Sequence, residues 1–241
     1  MKKLAIIWRF ARPHTVLGSI ISICTLYVIV VRNTGAQHFL LLAAALLIGI
    51  TCNIFIVGIN QIADVEIDRI NKPGLPLPSG ELSPAHARMI VFASLCMSLG
   101  LAAIITPYLF GIIALSNVIG WAYSMPPLYL KRHHFTAALA ITTVRGVVVN
   151  VGGFLVFNHL VNGSLEMPQD MRILTLFIVA FTVAIAWFKD LPDVEGDARY
   201  GIRTMAILYS PSTALLAGHL LVGSAYLWTI GLEVLCRGSR A

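Results

Sequence analysis

Long apolar runs broken by short polar joints make up most of the chain, and about 20 mostly apolar residues suffice for a membrane-spanning helix. Seven runs meet that rule, roughly residues 14–31, 39–60, 87–106, 108–125, 136–158, 172–189 and 206–232. They predict an all-α fold, a polytopic transmembrane helical bundle of about seven helices, as a single domain over residues 1–241. Only Thr106 and Pro107 separate the third and fourth runs, which predicts a tight helical hairpin. Pro13 stands where the first helix can begin, and the paired Pro126 and Pro127 break the fourth.

Composition agrees with the pattern. The 241 residues are 58% hydrophobic and 12% charged, and the mean hydropathy of +0.84 lies outside the soluble range. The basic start, Met1 to His14, is followed by no small-residue cleavage site, so the first helix is expected to be uncleaved. With the N-terminus inside, the cytoplasmic segments hold Lys2, Lys3, Arg9, Arg12, Arg69, Lys72, Arg88, Lys131, Arg132, Lys189, Arg199 and Arg203. The other side holds only Arg32, Arg172, Arg237 and Arg240, so the positive-inside rule orients the bundle. The net charge of +6 then belongs beside an anionic membrane surface, with no nucleic acid as partner. Cys24, Cys52, Cys96 and Cys236 show no metal-binding or paired spacing and read as packing residues.

One joint differs from the rest. From Gly58 to Ser83 an apolar run ends at Asn60, and Asp64, Glu66 and Asp68 follow. If the helix continues, Asn60, Asp64 and Asp68 stand at i, i+4 and i+8, stacked on one face about 6 Å apart as a row of oxygen ligands. Mg²⁺ is the cation that accepts amide and carboxylate oxygens, keeps waters and bridges phosphates. Arg69 and Lys72, donors suited to phosphate, come next, followed by a loop stiffened by Pro73, Pro76 and Pro78. A second stretch, Trp187 to Thr204, repeats the design with Lys189 and Asp190, Asp193 and Asp197 four apart, and Arg199 and Arg203 beyond. Five of the six aspartates lie in these two stretches, so two metal sites facing one diphosphate are expected rather than wetted helix ends.

Other polar residues carry two readings each. Arg12 reaches a phosphate or serves only to orient the chain at the rim, and His14 reads as an interfacial residue. Tyr123 is a belt tyrosine or offers its ring to a passing cation. Lys131 and Arg132 are topology signals or phosphate ligands. Arg145 lies inside the fifth run, five residues before Asn150, where a charge costs about 2.5–3.5 kcal/mol, so it is expected to face the interior and an acid or phosphate. The Asn162-Gly163-Ser164 sequon has meaning only in a secreted chain.

These residues suit a substrate with a diphosphate head and a hydrocarbon tail, whose allylic cation an electron-rich ring would capture away from water. The strings NQIADVEIDRINKPGLPLPSGE, YSMPPLYLKR, TVRGVVVN and KDLPDVEGDARYGIRT resemble the intramembrane aromatic prenyltransferases of the UbiA type, nearest the homogentisate phytyltransferase branch. Most of that superfamily has Asp where Gln61 stands. The resemblance implies transfer of a phytyl group from its diphosphate to homogentisate with loss of carbon dioxide, on the route to tocopherol. Geranylgeranyl, solanesyl or another tail, and another aromatic acceptor, stay open.

By resemblance, Asn60, Asp64 and Asp68 hold one Mg²⁺ and Asp193 and Asp197 the second. Arg69, Lys72, Lys131 and Lys189, with Arg12 and Arg145, grip the diphosphate, Tyr123 shields the cation, and Gln61 and Asp190 mark the acceptor class. The site is expected at the cytoplasmic face of a bacterial inner or thylakoid-type membrane. The family has nine membrane helices, so the chain is expected to lack the last ones. A divalent-cation transporter is the non-enzyme reading, but the bases beside both acid rows would repel a cation. The CDP-alcohol phosphotransferase pattern, DG then AR then GxxxDxxxD, is missing.

Overall fold

Each apolar run becomes helix in the computed structural model, which describes residues 2–32 and 37–238. Helices α1 (Lys2–Phe10), α2 (Pro13–Val31), α3 (Phe39–Ala63), α4 (Val65–Asn71), α5 (Pro84–Ile105) and α6 (Pro107–Ser124) come first. After a 3₁₀ turn, Leu130–Arg132, follow α7 (His134–Thr142), a π-helical stretch Thr143–Gly152, and α8 (Gly153–Asn162). The last are α9 (Gln169–Phe188), a 3₁₀ turn Leu191–Asp193, α10 (Val194–Arg199), α11 (Met205–Leu208) and α12 (Pro211–Gly238). The polar tail, Cys236 to Ala241, falls partly outside the described residues.

Among the described residues six helices are long and apolar enough to cross a membrane, one fewer than the runs suggested. The difference is α6, the expected span 108–125, which forms with 18 residues and buries Ser116, Asn117 and Ser124. Three boundaries also differ. The basic start is a helix of its own, α1, set off from α2 at Arg12, because Pro13 cannot continue the backbone ladder. The span expected at 206–232 is split, since Ser210 caps α12 through Thr213 N at 3.0 Å and Pro211 opens it. The fifth helix runs on to Asn162, where Gly163 takes the left-handed conformation (φ 68) that a glycine adopts without strain.

The tight hairpin is present as expected. Thr106 is extended, and its Oγ1 accepts from Tyr108 N at 3.4 Å while Pro107 starts α6. Likewise α6 ends at Ser124, and Met125 is already extended ahead of the two prolines.

The chain forms two compact units. The first comprises Met1–Leu130 and Gly152–Leu165. In it α3 packs on α2, α5 and α6, and α2 on α8. Phe10, Phe55, Leu77, Leu82, Ala87 and Val91 form one buried cluster, Ile48, Cys52, Ala102, Leu109, Ile113 and Val156 another. Lipid offers no hydrophobic drive between helices, so close packing and polar pins hold them. Asn53 Nδ2 donates to Thr15 Oγ1 at 3.0 Å, Cys52 Sγ to Asn117 Oδ1 at 3.3 Å, and Asn117 Nδ2 to Ser98 Oγ at 3.3 Å.

The second unit comprises Lys131–Val151 and Glu166–Ala241. Here α9 packs against α7 and α12. Phe177 meets Tyr226 edge-on with centroids 4.7 Å apart, and Phe188 occupies the space that a side chain at Gly218 would fill.

Candidate active site

The first acid row sits at the cut end of α3. Asp64 leaves helical geometry (φ −103, ψ 10) and a short second helix, α4, begins at Val65. The ladder nevertheless persists: Asp64 N donates to Asn60 O at 3.0 Å, Asp68 N to Asp64 O at 2.7 Å, and Lys72 N to Asp68 O at 2.7 Å. The four-residue stacking expected for Asn60, Asp64 and Asp68 therefore survives a bend at its middle member. Asn60 Nδ2 donates to Asp64 Oδ2 at 2.9 Å and to Ser124 Oγ at 3.3 Å. Asp68 is buried, with Lys72 Nζ 3.9 Å from its Oδ1.

Arg69 lies elsewhere. Its guanidinium is exposed and holds both carboxylate oxygens of Glu66 at 2.7 Å. Tyr123 is half-buried at the end of α6, and its neighbour Ser124 is fully enclosed beside Asn60. Ser124 was missed as a site residue. A hydroxyl at the last turn of an apolar helix, next to Tyr123, was the available signal.

The loop after the row is tied down. Arg9 Nη1 and Nη2 each donate to a carboxylate oxygen of Glu81 at 2.9 Å, and Nη2 also reaches Gly74 O at 2.6 Å. The Arg9 guanidinium holds the Glu81 carboxyl below its usual pKa of 4.5. Leu77 and Leu82 from this loop enter the cluster around Phe10, so the proline-rich segment is packed on α1 and α3.

In the second unit the design repeats. Asp193 has φ −104 and ψ 6, and α10 begins at Val194. Asp197 is buried as Asp68 is, and Asp193, like Asp64, is half-buried. Lys189 Nζ meets Asp190 Oδ1 at 2.5 Å, and Asp190 is buried. The chain turns after α10 through Gly201 (φ 70), where Ile202 N donates to Asp197 O at 2.9 Å. Arg203 N then donates to Arg132 O at 2.8 Å and His134 N to Arg203 O at 2.9 Å. This pairing brings the 3₁₀ turn that carries Lys131 alongside the strand-like exit of the second row. Lys131 is buried, which for a lysine requires negative or acceptor groups nearby.

Arg145 lies in the π-helical stretch with its side chain accessible and with no ion pair among the described residues. The five-residue hydrogen-bond repeat of such a helix sets Arg145 and Asn150 one repeat apart, and π segments recur at functional positions. Asn150 is buried, and its Nδ2 has no partner among the described residues.

Among the described residues no three His, Cys, Asp or Glu side chains gather into a ready metal cage. Two carboxylates per row, with an amide in the first, fit a small hard cation that takes its other oxygens from water and phosphate. Gln61 does not join the row. It is fully buried, and its Nε2 donates to Phe10 O at 2.6 Å.

The sequence profile of the UbiA prenyltransferase family matches residues 21–238. The chain is 40% identical over 232 residues to a protein of Synechocystis sp. named homogentisate phytyltransferase, covering 94% of this chain and 75% of that one. It is 37% identical to the homogentisate geranylgeranyltransferase of Hordeum vulgare, over 88% of this chain and 53% of the barley protein. Thus it spans three quarters of the first relative and about half of the second. Among solved structures, a UbiA homolog from Archaeoglobus fulgidus bound to GPP and Mg²⁺ aligns over 94% of this chain and 78% of its own, with a TM-score of 0.72 at 21% identity. At that identity the likeness speaks for the fold.

Proposed function

Because this chain belongs to the UbiA prenyltransferase family, we propose that it transfers a prenyl group, phytyl above others, from its diphosphate to homogentisate within the membrane. The observation that carries the reading is the repeated acid row: Asp64 and Asp193 share one backbone bend, each followed by a buried aspartate four residues on. Each row suits an Mg²⁺ ion, one on Asn60, Asp64 and Asp68 and one on Asp193 and Asp197. Bound there, the metal would supply positive charge to a leaving diphosphate.

The chain's own residues do the rest. Lys72, Lys131 and Lys189 offer ammonium donors to phosphate oxygens, and Arg12 offers a guanidinium. Arg69 would have to release Glu66 to contribute, and Arg145 would serve only if the substrate reaches its surface. The C–O bond to the diphosphate breaks with its electron pair, and a ring carbon of the acceptor bonds to the allylic carbon while a ring proton leaves. The side-chain carboxylate departs as carbon dioxide and a proton takes its place. The Tyr123 ring can face the cation, and the apolar helices keep water from it. The active face and the N-terminus are assigned to the cytoplasmic side on the Lys and Arg distribution.

The barley relative's name supports a second reading, the same transfer with a geranylgeranyl tail. Membranes carrying the protein, assayed with homogentisate and a panel of prenyl diphosphates with and without Mg²⁺, separate these. Product with phytyl diphosphate only when Mg²⁺ is present is expected. Product only with another acceptor would overturn the substrate, and product without divalent metal would overturn the mechanism.

A further inference from the structure

Helix α3 shows two polar faces in its C-terminal half, and only one of them carries the acid row. Asn60 and Asp64 lie on the first. On the adjoining face stand Asn53, Val57 and Gln61, at i, i+4 and i+8, about 100° round the axis from the Asn60 row. This second face meets the corner between α1 and α2. Gln61 Nε2 donates to Phe10 O at 2.6 Å and more weakly to Val57 O at 3.4 Å. Asn53 Nδ2 donates at 3.0 Å to Thr15 Oγ1, and that hydroxyl donates at 2.9 Å to Arg12 O. Gly58, between the two pins, leaves room for the Phe10 ring, which would stand 3.1 Å from any Cβ there.

Between the pinned Phe10 and Thr15 lies Arg12, whose backbone is left-handed at φ 54 and ψ 84. That conformation is costly for a residue with a Cβ and persists only where the surroundings over-determine it. Arg12 is half-buried, and its guanidinium makes no hydrogen bond or ion pair with the described residues. A corner held from both sides thus presents an arginine whose donors are kept for something else. An aspartate at position 61 could not build this corner, because a carboxylate has no hydrogen to give to Phe10 O and its shorter chain reaches less far.

We infer that Gln61 and Asn53 are positioning residues: from α3 they lock the α1–α2 corner so that Arg12 is preset to bind the diphosphate of the prenyl substrate. The inference rests on the prenyl-transfer reading above. It gives Gln61, which replaces the aspartate of most of the superfamily, a task at the corner instead of contact with the acceptor.

The test uses the whole 241-residue chain with Gln61→Leu, which keeps the volume and removes the donor, and Thr15→Val, which removes the acceptor of Asn53. Amide hydrogen exchange across residues 8–17 is measured alongside KM for the prenyl diphosphate and kcat. Losing one buried hydrogen bond is expected to speed exchange at the corner by about tenfold and to raise KM by a similar factor, with kcat held within about threefold. In an Arg12→Ala background Gln61→Leu should raise KM little further, because the side chain it positions is gone. Unchanged exchange in both variants would overturn the lock, and a full additional rise in KM in the Arg12→Ala background would overturn the link to Arg12. If the wild type turns over no prenyl diphosphate, the functional reading fails, while the exchange comparison still decides the lock.

Discussion

Asp64 and Asp193 take up one backbone geometry, φ −103 and ψ 10 against φ −104 and ψ 6, each at the head of a short helix with a buried aspartate one turn on. In the proposed function the two carboxylates share one duty. Asp64→Ala and Asp193→Ala are each expected to lower kcat by at least about a hundredfold, the scale for removing a group that stabilises developing charge. Size-exclusion profiles and thermal unfolding of the purified variants should match the wild type, since both side chains are only half-buried. Full turnover in either variant would remove that row from the site.

In the proposed site Ser124 acts through Asn60. Its Oγ accepts from Asn60 Nδ2 at 3.3 Å, in a spot closed to solvent, so it helps hold the amide that also bonds Asp64. Outer partners of this kind typically change metal affinity by about 10–100-fold. Ser124→Ala should therefore raise the Mg²⁺ concentration for half-maximal activity about tenfold and leave the maximal rate nearly intact. A variant with a lower maximal rate at unaltered Mg²⁺ dependence would place Ser124 in another role.

Much of this arrangement was legible in the chain, and for a physical reason. Ligand spacing and apolar length are local properties: the four-residue steps of Asn60, Asp64 and Asp68, and the Thr106-Pro107 turn, follow from helical pitch and from proline's missing hydrogen. What escaped was tertiary. The apolar residues of α1 read as the lead-in to the first span, because nothing local says that Phe10 will be buried against Gly58. The direction of Gln61, one residue from the acid row, depends on a carbonyl 51 positions away in sequence. Arg69 has the composition of a phosphate ligand, yet the exposed Glu66 three residues earlier captures it. The widened turn at Arg145 has no signature in residue types that periodicity could register.

The Arg9–Glu81 pair makes the loop after the first acid row sensitive to acid. Arg9 lowers the Glu81 pKa from its usual 4.5, so the folded state binds the proton less readily than the unfolded chain. The pair's contribution is therefore present above pH 4.5 and is lost as the pH falls through the lower folded value. Hydrogen exchange across residues 72–83 should quicken below pH 4.5 beyond its intrinsic pH dependence. In Arg9→Ala the loop should exchange faster at neutral pH and show no such acid step. An acid step of equal size in that variant would assign it to another carboxylate.

Gly58 tests how closely α5 and α1 must approach α3. A Cβ there would lie 2.5 Å from Val91 Cγ2 and 3.1 Å from the Phe10 ring, and Val91 is a β-branched residue with little freedom to turn away. Overpacking of this order usually destabilises by about 1–3 kcal/mol, here against the gain in helix propensity that alanine brings, up to about 1 kcal/mol. Gly58→Ala should thus lower the unfolding midpoint, whereas the same change at Gly100 in α5, where a Cβ meets nothing within 4 Å, should not. Because the clash is mainly with Val91, Val91→Ala should recover part of the loss in the double variant, a coupling that thermal unfolding of all four proteins would measure. Additive losses would mean that Phe10, not Val91, bears the strain, and exchange at the α1–α2 corner should then rise in Gly58→Ala whatever stands at position 91.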